Sequence, residues 1–183
     1  MRIETKRLIL RFPKKGDEKH LVKHLNNINI SKNMSNIPHP YTSKQAKEFI
    51  IKSLKEMKER KIKSYKIFLE LKSNNEVIGG IGLGKLDYTN KSGEIGYWLS
   101  EEYWKQGLMS EAMNQILRWA FGVTKLRRIE LYAYPENKTS NIVAKKFHFK
   151  LEGRKRKAAI NKTTKKLHDL NMYSLLKNEW RIK

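Results

Sequence analysis

Apolar positions along the first third of the chain recur at the period of a strand and then at the period of a helix. Ile3–Phe12 alternates as an opening strand, and a helix is expected from Asp17 to about Asn27. Thr42 and Gln45 have the spacing of a capping box. They predict the start of a second amphipathic helix after a loop that contains two prolines.

The middle of the chain predicts three consecutive antiparallel strands. Ser64–Lys72 and Glu76–Leu86 flank a polar turn, and Gly93–Leu99 follows after a second turn. Four further elements are expected: a helix after Gly107, a strand at Arg128–Tyr134, a helix at Thr139–Phe147, and strands at Phe149–Glu152 and His168–Leu176. We therefore predict one α+β domain spanning residues 1–183, with a mixed, mostly antiparallel twisted sheet flanked by helices.

The transition from the third strand of this meander to the long helix carries a candidate site. An apolar aromatic strand from Glu94 leads through an acidic turn to Gly107 and then into the first turn of the helix. At such a helix start, unpaired backbone N–H groups converge, the helix dipole adds partial positive charge, and glycine leaves the approach open. The pattern favours binding of a phosphate-bearing cofactor.

Composition excludes several other kinds of site. The chain has no cysteine, which excludes disulfides, thiolate zinc sites and a cysteine nucleophile. Charges interrupt the apolar residues at the N-terminus, and no apolar run reaches membrane-spanning length. We therefore expect a cytoplasmic protein without a membrane partner, whose oligomeric state the sequence leaves open.

The formal net charge of +22 has two interpretations. It favours weak association with nucleic acid or the ribosome through counterion release. Alternatively it reflects a compositional bias, since lysine predominates over arginine and is spread along the chain, with local clusters at Arg154–Lys157 and Lys162–Lys166.

Several blocks of sequence, in the same order, resemble the GCN5-related N-acetyltransferases. Within that family, the similarity is to the branch that acetylates the N-termini of ribosomal proteins. The blocks are E-T-K-R-L-I-L-R, E-I-G-Y-W-L, Y-W-K-Q-G-L-M-S-E-A, N-K-T-S-N-I-V-A-K-K-F-H-F, L-E-G-R and D-L-N-M-Y-S-L-L-K-N-E-W. They span essentially the whole chain, so the resemblance is more specific than one glycine loop.

The resemblance implies an acetyl-CoA site at the helix that follows Gly107. The family loop is written Gln/Arg-x-x-Gly-x-Gly/Ala, and of its glycines this chain keeps Gly107 alone. Because backbone amides hold the pyrophosphate, the outer side chains can vary. The residues expected to bind the pyrophosphate are Gln106, Gly107, Leu108, Met109 and Ser110, with a charge contact from Lys105.

The resemblance also implies that two central strands splay apart to admit the pantetheine arm. The arm then pairs with exposed backbone groups as an added strand would. The amide of Trp98 or Leu99 is the expected donor to the thioester oxygen. Asn137 takes the position of a family asparagine that contacts pantetheine or orients the catalytic region, although it also suits a turn after Pro135.

Two residues are expected to handle protons. Glu94 corresponds to a glutamate that serves as general base in several family members, although one of the many lysines could equally pair with it. The tyrosine that protonates the thiolate in many members is replaced by Ala144, which leaves the Ser140 hydroxyl as candidate donor or as a residue of the helix first turn. Tyr173 is a further candidate, in a setting that favours packing.

The implied function is acetyl-CoA-dependent N-acetyl transfer by direct attack of a primary amine in a ternary complex. The expected acceptor is a protein N-terminal α-amine; a polyamine, an aminoglycoside or an amino acid is the alternative. A non-catalytic basic RNA- or ribosome-binding module is the competing class. His20 and His24 lie four residues apart on a helix, as expected on a solvated face, and no metal site is predicted.

Overall fold

The computed structural model describes residues 1–180 as one eight-stranded sheet with helices on both faces. The strands are β1 (Arg2–Glu4), β2 (Leu8–Arg11), β3 (Tyr65–Leu71), β4 (Val77–Asp87), β5 (Ser92–Leu99), β6 (Arg128–Ala133), β7 (Lys150–Ile160) and β8 (Leu167–Leu176). The helices are α1 (Glu18–Leu25), α2 (Ile28–Ser31), α3 (Ser43–Glu56), α4 (Leu108–Gly122) and α5 (Lys138–Lys146), with a 3-10 turn at Glu101–Tyr103.

The strands run in the order β1-β2-β3-β4-β5-β6-β8-β7. All neighbours are antiparallel except β5 and β6, which are parallel and are connected through α4. The predicted α+β class with a mixed, mostly antiparallel sheet is therefore confirmed. The sheet joins both ends of the described chain into one domain; the last three residues of the predicted domain 1–183 lie outside the described residues.

Each face of the sheet has its own apolar core. Helix α4 buries its apolar stripe against one face, where the strand residues Ile95 and Leu131 are almost fully buried. On the other face, α1 and α3 pack over β3 and β4, and Trp98 of β5 contacts this second core. The predicted capping box of α3 is present, with the Thr42 hydroxyl accepting from the Gln45 amide. Within residues 1–180, no helix has both the length and the apolar content to cross a membrane.

Three local expectations from the sequence were wrong. The opening strand is divided into β1 and β2, because the Thr5 amide donates to the Leu8 carbonyl and the Leu8 amide donates to the Thr5 hydroxyl, which closes a turn. The short helix α2 was missed; its start is capped by Asn27, whose side chain accepts from the Asn29 amide over 2.7 Å. Strand β7 continues to Ile160 because it pairs with β8, although its charged residues lack strand-like alternation.

Candidate functional site

Strands β5 and β6 are paired only at their beginnings, over four of the eight residues of β5 and four of the six residues of β6. Their parallel ladder runs from Ser92 opposite Arg128 to Ile95 opposite Leu131. Beyond this point β5 continues to Leu99 beside β4, and β6 continues to Ala133 beside β8. The two strands therefore open a gap between them, which is the splay that the sequence led us to expect.

The register of β4 and β5 decides which backbone groups face this gap. The Ser100 amide donates to the Ile78 carbonyl over 2.8 Å, so the backbone groups of Ser100 point at β4. In an antiparallel ladder, every second residue of a strand points its amide and carbonyl at the same neighbouring strand. Trp98 therefore directs its amide at β4, whereas Tyr97 and Leu99 direct theirs at the gap. Of the two donors considered from the sequence, Leu99 has the orientation to bind a ligand there. Its carbonyl accepts from the Trp104 indole nitrogen over 2.8 Å, which fixes the end of the strand.

The start of α4 has the geometry of an anion site. Gly107 adopts the left-handed conformation at φ 77° and ψ 0°, and no side chain caps the helix. Among residues 1–180, no hydrogen-bond acceptor pairs with the amides of Gly107, Leu108, Met109 or Ser110. The side chains of Leu108 and Met109 are buried in the core, so both residues can serve a ligand only through their backbone.

The flanking residues of this loop have separate roles. Lys105 also lies in the left-handed region, at φ 61°, although it is not a glycine. The Gln106 side chain donates back to the Glu102 carbonyl over 3.0 Å and braces the loop. The Ser110 hydroxyl accepts from Lys146 Nζ over 2.9 Å, which brings a cation of α5 to the mouth of α4.

Arg7 and Glu111 brace the loop that carries Gly107, a role that no pattern in the sequence predicted. Arg7 Nε donates to Glu111 Oε2 over 2.8 Å, and Arg7 Nη1 donates to the Gln106 carbonyl over 2.9 Å. Glu111 Oε1 also accepts from the Thr5 hydroxyl and the Arg7 amide. Burial raises the pKa of Glu111, but these hydrogen bonds and the charge of Arg7 outweigh it, so the net pKa is lowered.

The start of α5 borders the same gap. Asn137 is the N-cap of α5, and its side-chain oxygen accepts from the Ser140 amide over 3.1 Å. Within residues 1–180 the Ser140 hydroxyl makes no hydrogen bond, but its side chain lies close enough to the Tyr97 hydroxyl to lower the pKa of Tyr97. Tyr173 donates to Asn141 Oδ1 over 2.7 Å, which engages its hydroxyl inside the fold.

Glu94 lies on the opposite face of β5. Its carboxylate accepts from Lys85 Nζ over 2.6 Å, and 29% of its side chain is exposed. It borders a surface depression of 280 Å³; the other lining residues are Lys85, Ser92, Gly93, Glu130, Tyr132 and Lys155. This depression lies beside the paired part of the β5–β6 ladder and is distinct from the gap. The structure thus brings Glu94 to an open polar surface.

Coenzyme A fits the residues that are present. The four free amides and the left-handed Gly107 offer donors for its diphosphate, and the unpaired edge of β5 offers Leu99 and Tyr97 to its pantetheine arm. An acetyl thioester of this cofactor supplies an activated acyl group. Among residues 1–180, no group of three or more His, Asp or Glu side chains is placed to hold a metal ion.

The chain matches known acetyltransferases in sequence. Residues 7–150 match the family model described as an acetyltransferase (GNAT) domain. A ribosomal-protein-serine acetyltransferase from Escherichia coli (strain K12) is 36% identical over 88 residues, which cover 48% of this chain and 49% of that protein. The chain spans between about half and six tenths of the length of the curated relatives that head the matches.

Solved structures match over nearly the whole chain. An acetyltransferase named MccE, solved in complex with acetyl-CoA and AMP, is 26% identical, with a TM-score of 0.81 and 93% of each chain covered. RimL, described as a ribosomal L7/L12 alpha-N-protein acetyltransferase in complex with coenzyme A, has a TM-score of 0.84 at 22% identity. That alignment covers 98% of this chain and 99% of RimL and shows a shared fold.

Proposed function

The chain belongs to the GNAT acetyltransferase family, and we propose that it transfers the acetyl group of acetyl-CoA to the α-amine at the N-terminus of a protein. The observation that carries the proposal is the combination, in one molecule, of free amides at Gly107–Ser110 and an unpaired strand edge at the β5–β6 gap. Each feature suits a different part of the same cofactor, the diphosphate and the pantetheine arm.

Different residues of this chain bind the cofactor and transfer protons. The amides of the α4 first turn hold the diphosphate, and the Leu99 amide donates to the thioester oxygen. The incoming ammonium must lose a proton because a neutral amine is the nucleophile. Glu94 lies on the other face of β5, five residues before Leu99, and accepts this proton through water. Ser140 donates a hydrogen bond on the sulfur side. Asn137 caps α5 and so fixes where Ser140 lies.

Two observations support a protein terminus as the acceptor. The face around Glu94 is a shallow polar surface that combines carboxylates with lysines, which suits the flexible end of a polypeptide. The net charge of +22 repels polycationic small amines such as polyamines and aminoglycosides. The names of two relatives, RimL and the Escherichia coli enzyme, also refer to acetylation of ribosomal proteins.

Acetylation of defined peptides tests the proposal. Peptides with a free N-terminal Ser or Ala are compared with N-terminally blocked copies that keep an internal lysine, and with spermidine, an aminoglycoside and free amino acids. Release of CoA is measured, and mass spectrometry locates the acetyl group. We expect turnover with free N-termini alone, and loss of it in Gly107→Val, whose side chain forces strain at a left-handed position.

Two results contradict the proposal in different ways. Turnover restricted to a small amine keeps the enzyme class and replaces the acceptor. Absence of turnover with every amine, together with RNA binding that survives moderate salt, favours the non-catalytic basic module.

A further inference from the structure

Tyr97 has a buried hydroxyl at the β5–β6 gap that the rest of the fold does not use. Among residues 1–180, this hydroxyl has no hydrogen-bond partner of standard geometry although it is shielded from solvent. A buried polar group without a partner costs free energy, so a fold that retains one usually assigns it a role. The Ser140 side chain lies close enough to this hydroxyl to lower the pKa of Tyr97.

The backbone and the side chain of Tyr97 face different parts of the gap. Its backbone amide and carbonyl point across the opening toward β6. Ser100 and Trp98 point theirs at β4, and Tyr97, at an odd spacing from Ser100, points the other way. Its ring lies on the same face as Ile95 and Leu99 and packs against the core under α4 and α5. Ser140 and Ala144 are one turn apart on α5, and Ala144 is fully buried in that core, so this face of α5 is turned toward the ring.

We infer that Tyr97 is a positioning residue for the thiol end of the bound cofactor: its hydroxyl donates to Ser140 Oγ, which leaves the Ser140 proton directed at the sulfur. A serine hydroxyl has one proton to donate and two lone pairs that accept, so a donor on its oxygen fixes the direction of its own O–H. No covalent step is involved. The inference rests on the proposed use of acetyl-CoA.

The acid–base properties of Tyr97 suit a donor that stays protonated. Burial raises the pKa of Tyr97 to about 12 and outweighs the effect of Ser140, which lowers it. A thiol such as that of cysteine ionises near pH 8.5, well below the pKa of Tyr97, so the phenol remains neutral while a stabilised thiol of bound CoA titrates. Tyr173 cannot substitute, because its hydroxyl is bound to Asn141.

The test is the ionisation of the CoA thiol on the protein, followed by thiolate ultraviolet absorbance across a pH series. Wild type, Tyr97→Phe, Ser140→Ala and the double variant are compared, each saturated with CoA. Tyr41→Phe is the matched control, since burial also raises the pKa of Tyr41 to about 12 and that residue lies in the other core. Affinity for CoA and for desulfo-CoA is measured in parallel by calorimetry.

The thiol of CoA bound to wild type is expected to ionise at a lower pH than the thiol of free CoA, measured in the same pH series. In Tyr97→Phe its pKa should rise by about one unit, a tenfold weaker stabilisation of the thiolate. Ser140→Ala should match this shift, and the double variant should add little because the two hydroxyls act in series. Desulfo-CoA affinity and the Tyr41→Phe titration should stay unchanged.

Two results overturn the inference. If Tyr97→Phe binds CoA and its thiol titrates as in wild type, Tyr97 does not position Ser140, while the proposed acetyltransferase activity stands. If wild type binds neither CoA nor desulfo-CoA, the proposed function fails and the inference fails with it.

Discussion

The carboxylate of Glu94 is paired with the ammonium of Lys85, and this pairing sets how Glu94 can act. Hydrogen bonding to Glu94 raises the pKa of Lys85, so the lysine stays charged beside it. The lysine side chain is largely exposed and the ion pair is open to solvent, so an incoming ammonium can compete for the carboxylate. Glu94 thus remains a candidate base that must first exchange its partner.

Two variants at this pair separate catalysis from surface pairing. Glu94→Gln is expected to lower kcat by about a hundredfold, the usual contribution of a general base, while acetyl-CoA affinity stays near that of wild type. Lys85→Gln removes the cation that competes with the incoming ammonium, so the KM for the amine should fall. Stopped assays over a series of pH values and amine concentrations measure both effects. An unchanged profile in Glu94→Gln would remove it as the base.

At the scale of elements, the turn between β1 and β2 supports the start of α4. Arg7 joins the Gln106 carbonyl to Glu111, and Thr5 binds the same carboxylate. A carboxylate in the first turn of a helix also interacts favourably with the helix dipole. The loop that carries Gly107 is therefore held by an element that lies about a hundred residues earlier in the chain.

The lowered pKa of Glu111 predicts how pH affects this support. Because the folded pKa lies below the unfolded one, the stabilisation is present above the unfolded pKa and is lost as pH falls through the folded pKa. Glu111→Gln should therefore melt below wild type at neutral pH, and the difference should shrink between about pH 5 and pH 3. Thermal melts in a pH series check this. A constant difference would show that the charge of Glu111 is not the cause.

Contacts between β4 and β5 predict a further effect at the end of β5. A Cβ on Gly79 would lie 2.8 Å from the Trp98 carbonyl oxygen and 3.0 Å from Leu99 Cδ1. Gly79→Ala should therefore shift this end of β5, lower stability by about 1–3 kcal/mol and weaken CoA binding.

Gly82→Ala in the same strand is the matched control, since its Cβ would meet only carbonyl oxygens at 3.9 Å. The melting temperature and the CoA affinity of this variant, measured by thermal melts and calorimetry, should stay close to those of wild type. Equal losses in both variants would mean that the methyl group disturbs β4 in general and not the gap.

At the scale of the whole molecule, the charge of +22 is spread unevenly. Eight lysines and arginines fall between Lys150 and Lys166, along β7 and its turn into β8, and all eight are exposed. This region can contact phosphates, but it contains no aromatic residue on which bases could stack. A nucleic-acid surface and a compositional bias therefore predict different effects when this cluster is removed.

Two charge variants decide between these interpretations. One triple variant removes Arg156, Lys162 and Lys166, and the other removes Lys44, Lys47 and Lys55 of α3, each by change to Gln. If the charge is compositional, both should weaken binding of a single-stranded RNA equally, and binding should fall steeply between about 50 and 200 mM salt. Fluorescence anisotropy measures this. A loss confined to the first variant would contradict the compositional interpretation and identify β7–β8 as a nucleic-acid surface.

The order of elements and the cofactor loop could be predicted because both depend on neighbours in sequence. The apolar stripe of α4 and the position of Gly107 are local patterns. Three features could not be predicted in this way: the support from Arg7, the approach of Tyr97 to Ser140 and the length of β7. Each depends on a partner that only the folded sheet brings close, such as β8 beside β7. The register that assigns Leu99 and not Trp98 to the gap likewise required the pairing with β4.

Cofactor binding, as proposed, depends on the backbone amides of the α4 first turn, which hold the diphosphate of CoA. Amide proton–nitrogen NMR spectra, recorded during titration with CoA and separately with pantetheine, test it most directly. We predict that the signals of Gly107, Leu108, Met109 and Ser110 move strongly with CoA and stay in place with pantetheine, which has no diphosphate. Saturable CoA binding that leaves these four signals in place and moves others would show that the diphosphate binds elsewhere.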